Sequence, residues 1–153
     1  MIPLADLVRD HPFFAGLPAA VVDVVAGCGA NVVFAAGSYV FREGRSADRF
    51  FVIRHGRVSL ETFLPGRGPR VFQTLGPGEV VGASWLVEPH VWSWDARTLE
   101  RVRAIAFDAV CLRDKCEADP VAGYALMKRF VPLLVARLQE ARMQALDLYG
   151  GAS

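Results

Sequence analysis

The residues best suited to contacting a ligand lie between Gly76 and Thr98, in a stretch that reads GPGEVVGASWLVEPHVWSWDART. All three tryptophans of the chain fall within it. Tryptophan rings can stack on a flat ligand. The hydroxyls of Ser84 and Ser93, together with the backbone N–H groups that follow Gly82, can hold an anion. The candidate ligand-binding residues are therefore Gly82, Ala83, Ser84, Trp85, Trp92, Ser93 and Trp94.

Glycines and prolines indicate the local structure of this stretch. A proline between two glycines predicts a turn at 76–78, because proline presets φ and glycine tolerates positive φ. The β-branched residues at 80 and 81 predict a short strand that ends at Gly82. Residues 83–86 can make one helical turn. That turn ends before Pro89, since the residue preceding a proline disfavours the α region.

The sequence shows no residue pattern typical of an enzyme. His55 and His90 lie in or beside turns, and neither has a carboxylate or cysteine at a spacing that suggests a catalytic dyad. The serines lie outside any nucleophile-elbow context, and P-loop, dinucleotide and zinc motifs are missing. Cys111 and Cys116 resemble only half of a metal site. We therefore expect no catalytic residues, no metal and no enzymatic activity.

Length and composition are those of one domain with room for an extra helix. At 153 residues, with 53% hydrophobic and 22% charged residues, the chain can bury a core and is too apolar for disorder. Its net charge of +1 gives no electrostatic footprint for nucleic acid. Apolar runs are shorter than a membrane span, and no signal peptide is recognised. The three cysteines favour free thiols in a reducing cytoplasm.

Short apolar segments alternate with glycine- and proline-containing turns from Asn31 to Asp108. They predict strands at 32–34, 39–41, 50–53, 58–62, 71–75 and within 97–108. Val58, Leu60 and Thr62 show the alternation of a half-buried strand. Many short strands at nearly even spacing predict an antiparallel sandwich or jelly roll.

Helices are predicted at both ends of the chain. Residues 1–29 read as helical, with a break at Pro12 and a new start at Pro18. Asp119 and Pro120 are a typical cap and first residue of a C-terminal helix. Apolar residues then recur at steps of three and four, which is a heptad seam. The seam consists of Tyr124, Met127, Val131, Leu134, Leu138, Ala141, Ala145 and Leu148.

The length of the C-terminal helix bears on its role. About 30 helical residues span some 45 Å, longer than a small β-domain can cover. A roll-facing stripe therefore explains the first half of the seam better than the second. We expect a homodimeric coiled coil, with Pro132 kinking the helix, and keep a single helix packed on its own domain as the alternative. The predicted dimer interface is Met127, Val131, Leu134, Leu138, Ala141, Ala145 and Leu148.

Several of these features together resemble the cyclic-nucleotide-binding domain family, which includes the catabolite activator protein. The opening phrase HPFFAGLPAAVVDVVAG and segment 76–98 resemble it, and its turn glycines match Gly37, Gly44, Gly56, Gly78 and Gly82. The resemblance covers about residues 10–145. It implies an α+β fold, an antiparallel β-roll of the double-stranded β-helix or jelly-roll type. N-terminal helices and a long C-terminal dimerisation helix would flank this roll.

The resemblance also identifies residues 76–98 as the family's phosphate-binding cassette, with two departures. The family's ribose-binding glutamate falls on Ala83, and its phosphate-binding arginine falls on Trp92. Neither side chain can replace the missing acceptor or charge. We therefore predict a degenerate cassette in which cAMP or cGMP binding is weak or lost, with Trp85 or Trp92 filling the pocket.

The predicted function is a dimeric regulatory or sensor module, and the alternative is a ligand-free scaffolding protein of a larger assembly. Trp92 pointing inward favours the alternative, and an outward position favours the sensor. We assign residues 1–118 to the β-roll with its N-terminal helices and residues 119–149 to the C-terminal helix, with a hinge near 111–119. A protein partner is possible. DNA-binding relatives continue into a helix-turn-helix domain, whereas this sequence ends at Ser153, so nucleic acid is not an expected partner. The short apolar runs make a membrane an unexpected partner as well.

Overall fold

The computed structural model describes residues 2–150, which form four α-helices and eight β-strands. The helices are α1 (Leu4–Asp10), α2 (Ala19–Ala26), α3 (Ala109–Ala118) and α4 (Pro120–Gly150). The strands are β1 (Gly29–Phe34), β2 (Tyr39–Phe41), β3 (Arg49–His55), β4 (Val58–Leu64), β5 (Gly68–Leu75), β6 (Val80–Val81), β7 (Asp95–Thr98) and β8 (Val102–Asp108). Each strand predicted from the sequence is present, several with longer limits.

The strands form two antiparallel sheets of four strands each. One sheet has the order β1-β8-β3-β6, and the other has the order β2-β7-β4-β5. Neighbours in a sheet are mostly distant in sequence, as in a jelly roll. The predicted α+β class, an antiparallel β-roll flanked by helices and followed by a long C-terminal helix, is confirmed.

Alternation along the strands decides which side chains enter the roll. In β7, Ala96 and Thr98 are buried, whereas Asp95 and Arg97 are half-buried. Leu60 of β4 lies directly opposite Ala96 and is buried with it. The predicted alternation in β4 holds only in part, because Ser59 and Glu61 are buried together with Val58 and Leu60, and Thr62 is only half-buried.

An aromatic cluster forms the centre of the core. Phe50 stacks on Phe107 and on Trp85, with ring centroids 4.8 Å apart in both pairs. Phe130 of α4 meets Phe50 and Trp85 edge-on, with centroids 5.3 Å apart. Edge-to-face and offset contacts of this kind are the favourable aromatic geometries. The cluster therefore joins the segment after β6 to α4 through the core.

The segment expected to be a hinge contains a helix that the sequence analysis missed. The carboxylate of Asp108 caps α3 by accepting the N–H of Cys111 at 3.0 Å. Only Ala109 and Leu112 of α3 are buried, so the helix lacks an amphipathic pattern that periodicity could reveal. The following helix begins at Pro120, as predicted.

The expectation of free thiols is wrong for two cysteines. Cys28, immediately before β1, and Cys111, in the first turn of α3, form a disulfide with Cα atoms 5.9 Å apart. They are 83 residues apart in sequence, so only the tertiary fold brings them together. Cys116 is free. Cysteine usage therefore gives no support for a reducing compartment.

Helix α4 continues through Pro132 and follows the roll further than expected. Its first half contributes Ala122, Leu126 and Phe130 to the core. In its second half, the Gln73 amide donates to Glu140 at 2.8 Å, and the Gln144 amide donates to the Phe72 carbonyl at 2.9 Å. Strand β5 therefore contacts the second half of the helix through polar side chains, although residues 138–148 are exposed.

Candidate functional site

The cassette, defined as residues 76–98, opens with a turn anchored on β3. The Glu79 carboxylate closes this turn by accepting the N–H of Gly76 at 2.6 Å. The Gly78 N–H donates to the Ile53 carbonyl at 3.0 Å, and the Ile53 N–H donates to the Glu79 carbonyl at 2.9 Å. Glu79 therefore has a structural duty in the turn.

The predicted helical turn is present as a 3-10 turn at Ser84–Leu86. Trp85, within it, is 1% exposed and belongs to the aromatic core. The Arg113 guanidinium donates to the Trp85 carbonyl at 2.6 Å, which ties the turn to α3. Trp85 was a candidate for ligand contact, and its position makes it an anchor between the cassette and the core.

Trp92 points inward and fills the interior of the cassette. Its ring is 4% exposed and stacks on Phe41, with centroids 3.7 Å apart and planes 7° apart. Gly82 has a φ of 98°, and a Cβ atom at this glycine would lie 2.6 Å from Cη2 of the Trp92 ring. The Trp92 backbone is fixed by bonds to Gly44 at 2.9 Å and to Arg45 at 3.0 Å. Two stacked aromatic rings therefore occupy the space beside Gly82.

The other candidates face a different space, the cleft between the cassette and α4. The cleft has a volume of about 290 Å³, and its lining residues include Ala83, Ser84, Ser93, Trp94, Leu134 and Arg137. Trp94 is half-buried and meets Phe72 edge-on, with centroids 5.5 Å apart. The structure therefore separates the seven candidate residues into a filled interior, a core anchor and an open cleft.

Arg137 is the basic residue of this cleft, and the sequence analysis missed it. Its guanidinium donates to the Val80 carbonyl in β6, and its Nε atom is buried without a hydrogen-bond partner. Arg137 lies seven residues after Phe130, and residues seven apart lie on the same side of a helix. This spacing was the signal that could have placed Arg137 on the side of α4 that faces the roll.

Arg97, the other arginine near the cassette, is engaged elsewhere. Its guanidinium pairs with the Glu61 carboxylate at 3.1 Å across β7 and β4. Glu61 is 1% exposed and also accepts the Ser59 hydroxyl at 2.9 Å, while its Oε2 atom has no partner. Arg97 therefore neutralises a buried carboxylate of β4.

The predicted dimer residues do not share one environment. Val131, Leu138 and Leu148 are 54%, 70% and 74% exposed. Met127 packs against the protein's own core. Leu134 lines the cleft, and Ala141 lines a small cavity beside Phe72. Ala145 is exposed. Some residues of the seam therefore contact the rest of the chain, and others are exposed.

The family model of the cyclic nucleotide-binding domain matches residues 31–119. The chain belongs to the cyclic-nucleotide-binding domain family.

Individual relatives agree with this assignment. The chain is 27% identical, over 117 residues, to the CRP-like cAMP-activated global transcriptional regulator of Mycobacterium tuberculosis; the match covers 76% of this chain and 50% of that protein. It is 28% identical to a candidate cyclic nucleotide-binding protein of Geobacter metallireducens, with a TM-score of 0.79 over 90% of this chain and 99% of the other. For the Thermus thermophilus catabolite activator protein, the identity is 25% and the TM-score 0.72, covering 91% of this chain and 63% of the other.

These similarities confirm the family resemblance and its Crp/Fnr type. The chain spans half the length of the mycobacterial regulator. Among residues 2–150, no helix is both long and apolar enough to cross a membrane.

Proposed function

We propose that this protein is a dimeric regulatory module of the Crp/Fnr type whose cassette binds cAMP and cGMP weakly or not at all. The proposal contains no catalytic step. The module signals through the position of α4 relative to the roll. The observation that carries the weak or lost binding of cyclic nucleotides is the inward, stacked position of Trp92.

The chemistry of a cyclic phosphate explains why this position matters. The phosphate is an anion, which needs N–H donors and a nearby positive charge. Beside Gly82 it would meet the uncharged rings of Trp92 and Phe41. Ala83 has no side-chain acceptor for a ribose hydroxyl. The Trp92 ring would have to leave its stack before a phosphate could approach Gly82.

Calorimetric titration with cAMP and cGMP tests the closed cassette. The wild-type protein is expected to show no saturable heat at millimolar nucleotide. The double variant Ala83→Glu/Trp92→Arg restores the acceptor and the charge and is expected to gain binding. In the control Ala83→Glu/Trp94→Arg, the arginine lies on the cleft side, so no gain is expected. Saturable binding by the wild-type protein would refute the proposal.

The outer side of α4 supports dimerisation. Large apolar residues on this side are strongly exposed, namely Val121 (78%), Tyr124 (67%), Val131 (54%), Val135 (49%) and Leu138 (70%). An exposed apolar stripe of this kind, interrupted here by Lys128, is typical of an interaction site. Its helical spacing fits a second copy of the same helix.

Sedimentation velocity tests the dimer. Leu138→Glu places a charge in the exposed stripe and is expected to produce monomers, with an unchanged circular dichroism spectrum. Gln139→Glu, at the next residue, is the matched control and should remain dimeric. A wild-type monomer, or a dimer that Leu138→Glu does not weaken, would contradict this part of the proposal.

A ligand-free interaction protein is the second candidate function, and the inward position of Trp92 favours it. Under this alternative, α4 and the roll would hold a fixed arrangement for docking on a larger assembly. No small molecule should then stabilise the protein. The titrations of the next subsection distinguish this alternative from a sensor.

A further inference from the structure

Arg137 is a partly buried cation without a carboxylate partner. Its Nε atom is buried and unpaired, and no ion pair of Arg137 is found among residues 2–150. Two carboxylates lie nearby, but both are engaged. Glu79 accepts the Gly76 N–H, and Glu140 accepts the Gln73 amide. Neither carboxylate therefore forms an ion pair with Arg137, and their charges only partly offset the cost of burying the guanidinium.

The energetics of Arg137 point away from a purely structural role. Burial lowers the pKa of Arg137, and the charges of Glu79 and Glu140 oppose this effect. Arginine nevertheless stays protonated in proteins. Removing a charge from water without pairing it costs stability, and the bond to the Val80 carbonyl satisfies only one of five N–H donors. An anion would use the remaining donors.

The space around Arg137 suits a small molecule with an apolar body. The cleft of about 290 Å³ lies at the lower end of the size range of ligand pockets. Val87, Val91, Leu134 and Trp94 supply apolar walls, and Ser84 and Ser93 supply hydroxyls. A second cavity of about 120 Å³ shares Trp94 and Arg137 with the cleft. Trp94 and Arg137 therefore line both cavities.

The charges around the cleft limit the charge of its ligand. Arg137 is its one basic lining residue, and Glu88 also lines it. Glu79 and Glu140 lie close enough to influence Arg137. Three carboxylates would repel a doubly charged phosphate more than a singly charged carboxylate. A planar carboxylate also matches the guanidinium fork in a bidentate pair.

We propose that the cleft between the cassette and α4 binds a small organic monocarboxylate, with its carboxylate on Arg137 and its aromatic or aliphatic body against Trp94. The inference rests on the proposed function, because closure of the interior by Trp92 leaves the cleft as the space where one molecule contacts both the cassette and α4. A ligand in this place changes the balance between positions of α4 on the roll. The site thereby couples the binding of a small acid to the position of the exposed apolar stripe of α4.

Calorimetry and thermal unfolding with benzoate and phenylacetate test the site. Saturable binding and a concentration-dependent rise in Tm are expected, with a change in tryptophan fluorescence because Trp94 lines the cleft. Benzamide and phenylacetamide have the same shape without the charge and should bind about tenfold more weakly or worse, since a charge-assisted pair is lost. Inorganic phosphate is the test of a general anion site and should bind more weakly than the carboxylates.

Two variants and one matched control assign the binding to Arg137. Arg137→Gln should lower carboxylate affinity by about tenfold or more, whereas Arg142→Gln, on the exposed part of the same helix, should leave it unchanged. Ser93→Phe fills the rim of the cleft without altering Arg137 and should block binding even if Arg137→Gln fails to fold.

The outcomes separate this inference from the proposed function. If neither carboxylate binds, if the amides bind equally well, or if Arg137→Gln retains full affinity, the inference is wrong and the closed cassette stands. If cAMP binds the wild-type protein while benzoate binding still depends on Arg137, the closed cassette is wrong and the cleft site stands. Carboxylate binding that requires Arg137, without cyclic nucleotide binding, supports both.

Discussion

The cassette has two sides that use a tryptophan in opposite ways. On the inner side, Trp92 is 4% exposed and lies on Phe41 beside Gly82. On the outer side, Trp94 is half-buried beside Arg137 at an open cleft. The two rings are two residues apart in the sequence, yet Trp92 is part of the core and Trp94 borders the cleft. The contrast shows that a closed inner side does not close the whole cassette, because the outer side keeps an open cleft.

The largest expected effect comes from deleting the inner ring. Trp92→Ala should lower the free energy of unfolding by about 4 kcal/mol, because a buried aromatic ring is lost and a cavity remains. Trp94→Ala should cost roughly half as much, since its ring is only half-buried. Urea denaturation of both variants measures the difference. Equal losses would contradict the division of the cassette into a packed side and an open side.

A smaller effect is expected at the glycine beneath the inner ring. Gly82→Ala should cost about 2 kcal/mol, because a φ of 98° is strained for alanine and the new Cβ atom would lie 2.6 Å from Trp92. In a Trp92→Ala background the steric part disappears, so the two substitutions should not be additive. A double-mutant cycle measures the coupling, and strict additivity would show that the ring does not press on Gly82.

The stability of the protein should depend on pH through His11, which bonds to Ile53, the residue of β3 that anchors the cassette turn. The His11 Nε2–H donates to the Ile53 carbonyl at 2.9 Å, and Nδ1 accepts the Phe13 N–H at 3.1 Å, so the ring is neutral. Burial lowers the pKa of His11 from 6.5, with Arg54 acting in the same direction and the bond to Ile53 opposing. The unfolded chain therefore binds this proton more readily, and stability is complete above pH 6.5 and declines as the pH falls below it.

Urea denaturation at about pH 7.5 and about pH 5.5, on either side of the ordinary histidine pKa, measures this decline. His11→Asn should reduce the difference between the two pH values. His55→Asn is the control, because His55 is exposed. An identical pH dependence in the wild-type protein and in His11→Asn would exclude His11 as the source.

The smallest effect on stability is expected at the outer side. Arg137→Met replaces an unpaired, partly buried cation with an apolar side chain and should change the free energy of unfolding by less than about 1 kcal/mol, in either direction. Carboxylate binding should nevertheless be lost. A loss of several kcal/mol in urea denaturation would instead show that Arg137 is kept for the bond to Val80, and the contrast between the two sides would weaken.

Local patterns in the sequence were sufficient for most of the fold. Turn glycines and alternating strands located the roll, and Asp119 with Pro120 located the start of α4. Ala83 and Trp92 identified the altered cassette positions, because residue identity alone shows that these side chains lack an acceptor and a charge. Helix α3 was missed because only two of its residues are buried, which is too weak a signal for periodicity.

The direction of each side chain and the meeting of distant segments were decided by the tertiary structure alone. The heptad pattern marks α4 as amphipathic, but only packing shows that Arg137 faces Val80 while Leu138 faces outward. The Cys28–Cys111 pair joins residues 83 positions apart, beyond the reach of any local pattern. The sequence by itself determined, through residue identity, that the side chain of Ala83 has no acceptor and that of Trp92 has no charge. The position of the Trp92 ring depended on which partner it could stack on, and Phe41 is brought beside it by the pairing of β2 with β7, which are far apart in the sequence.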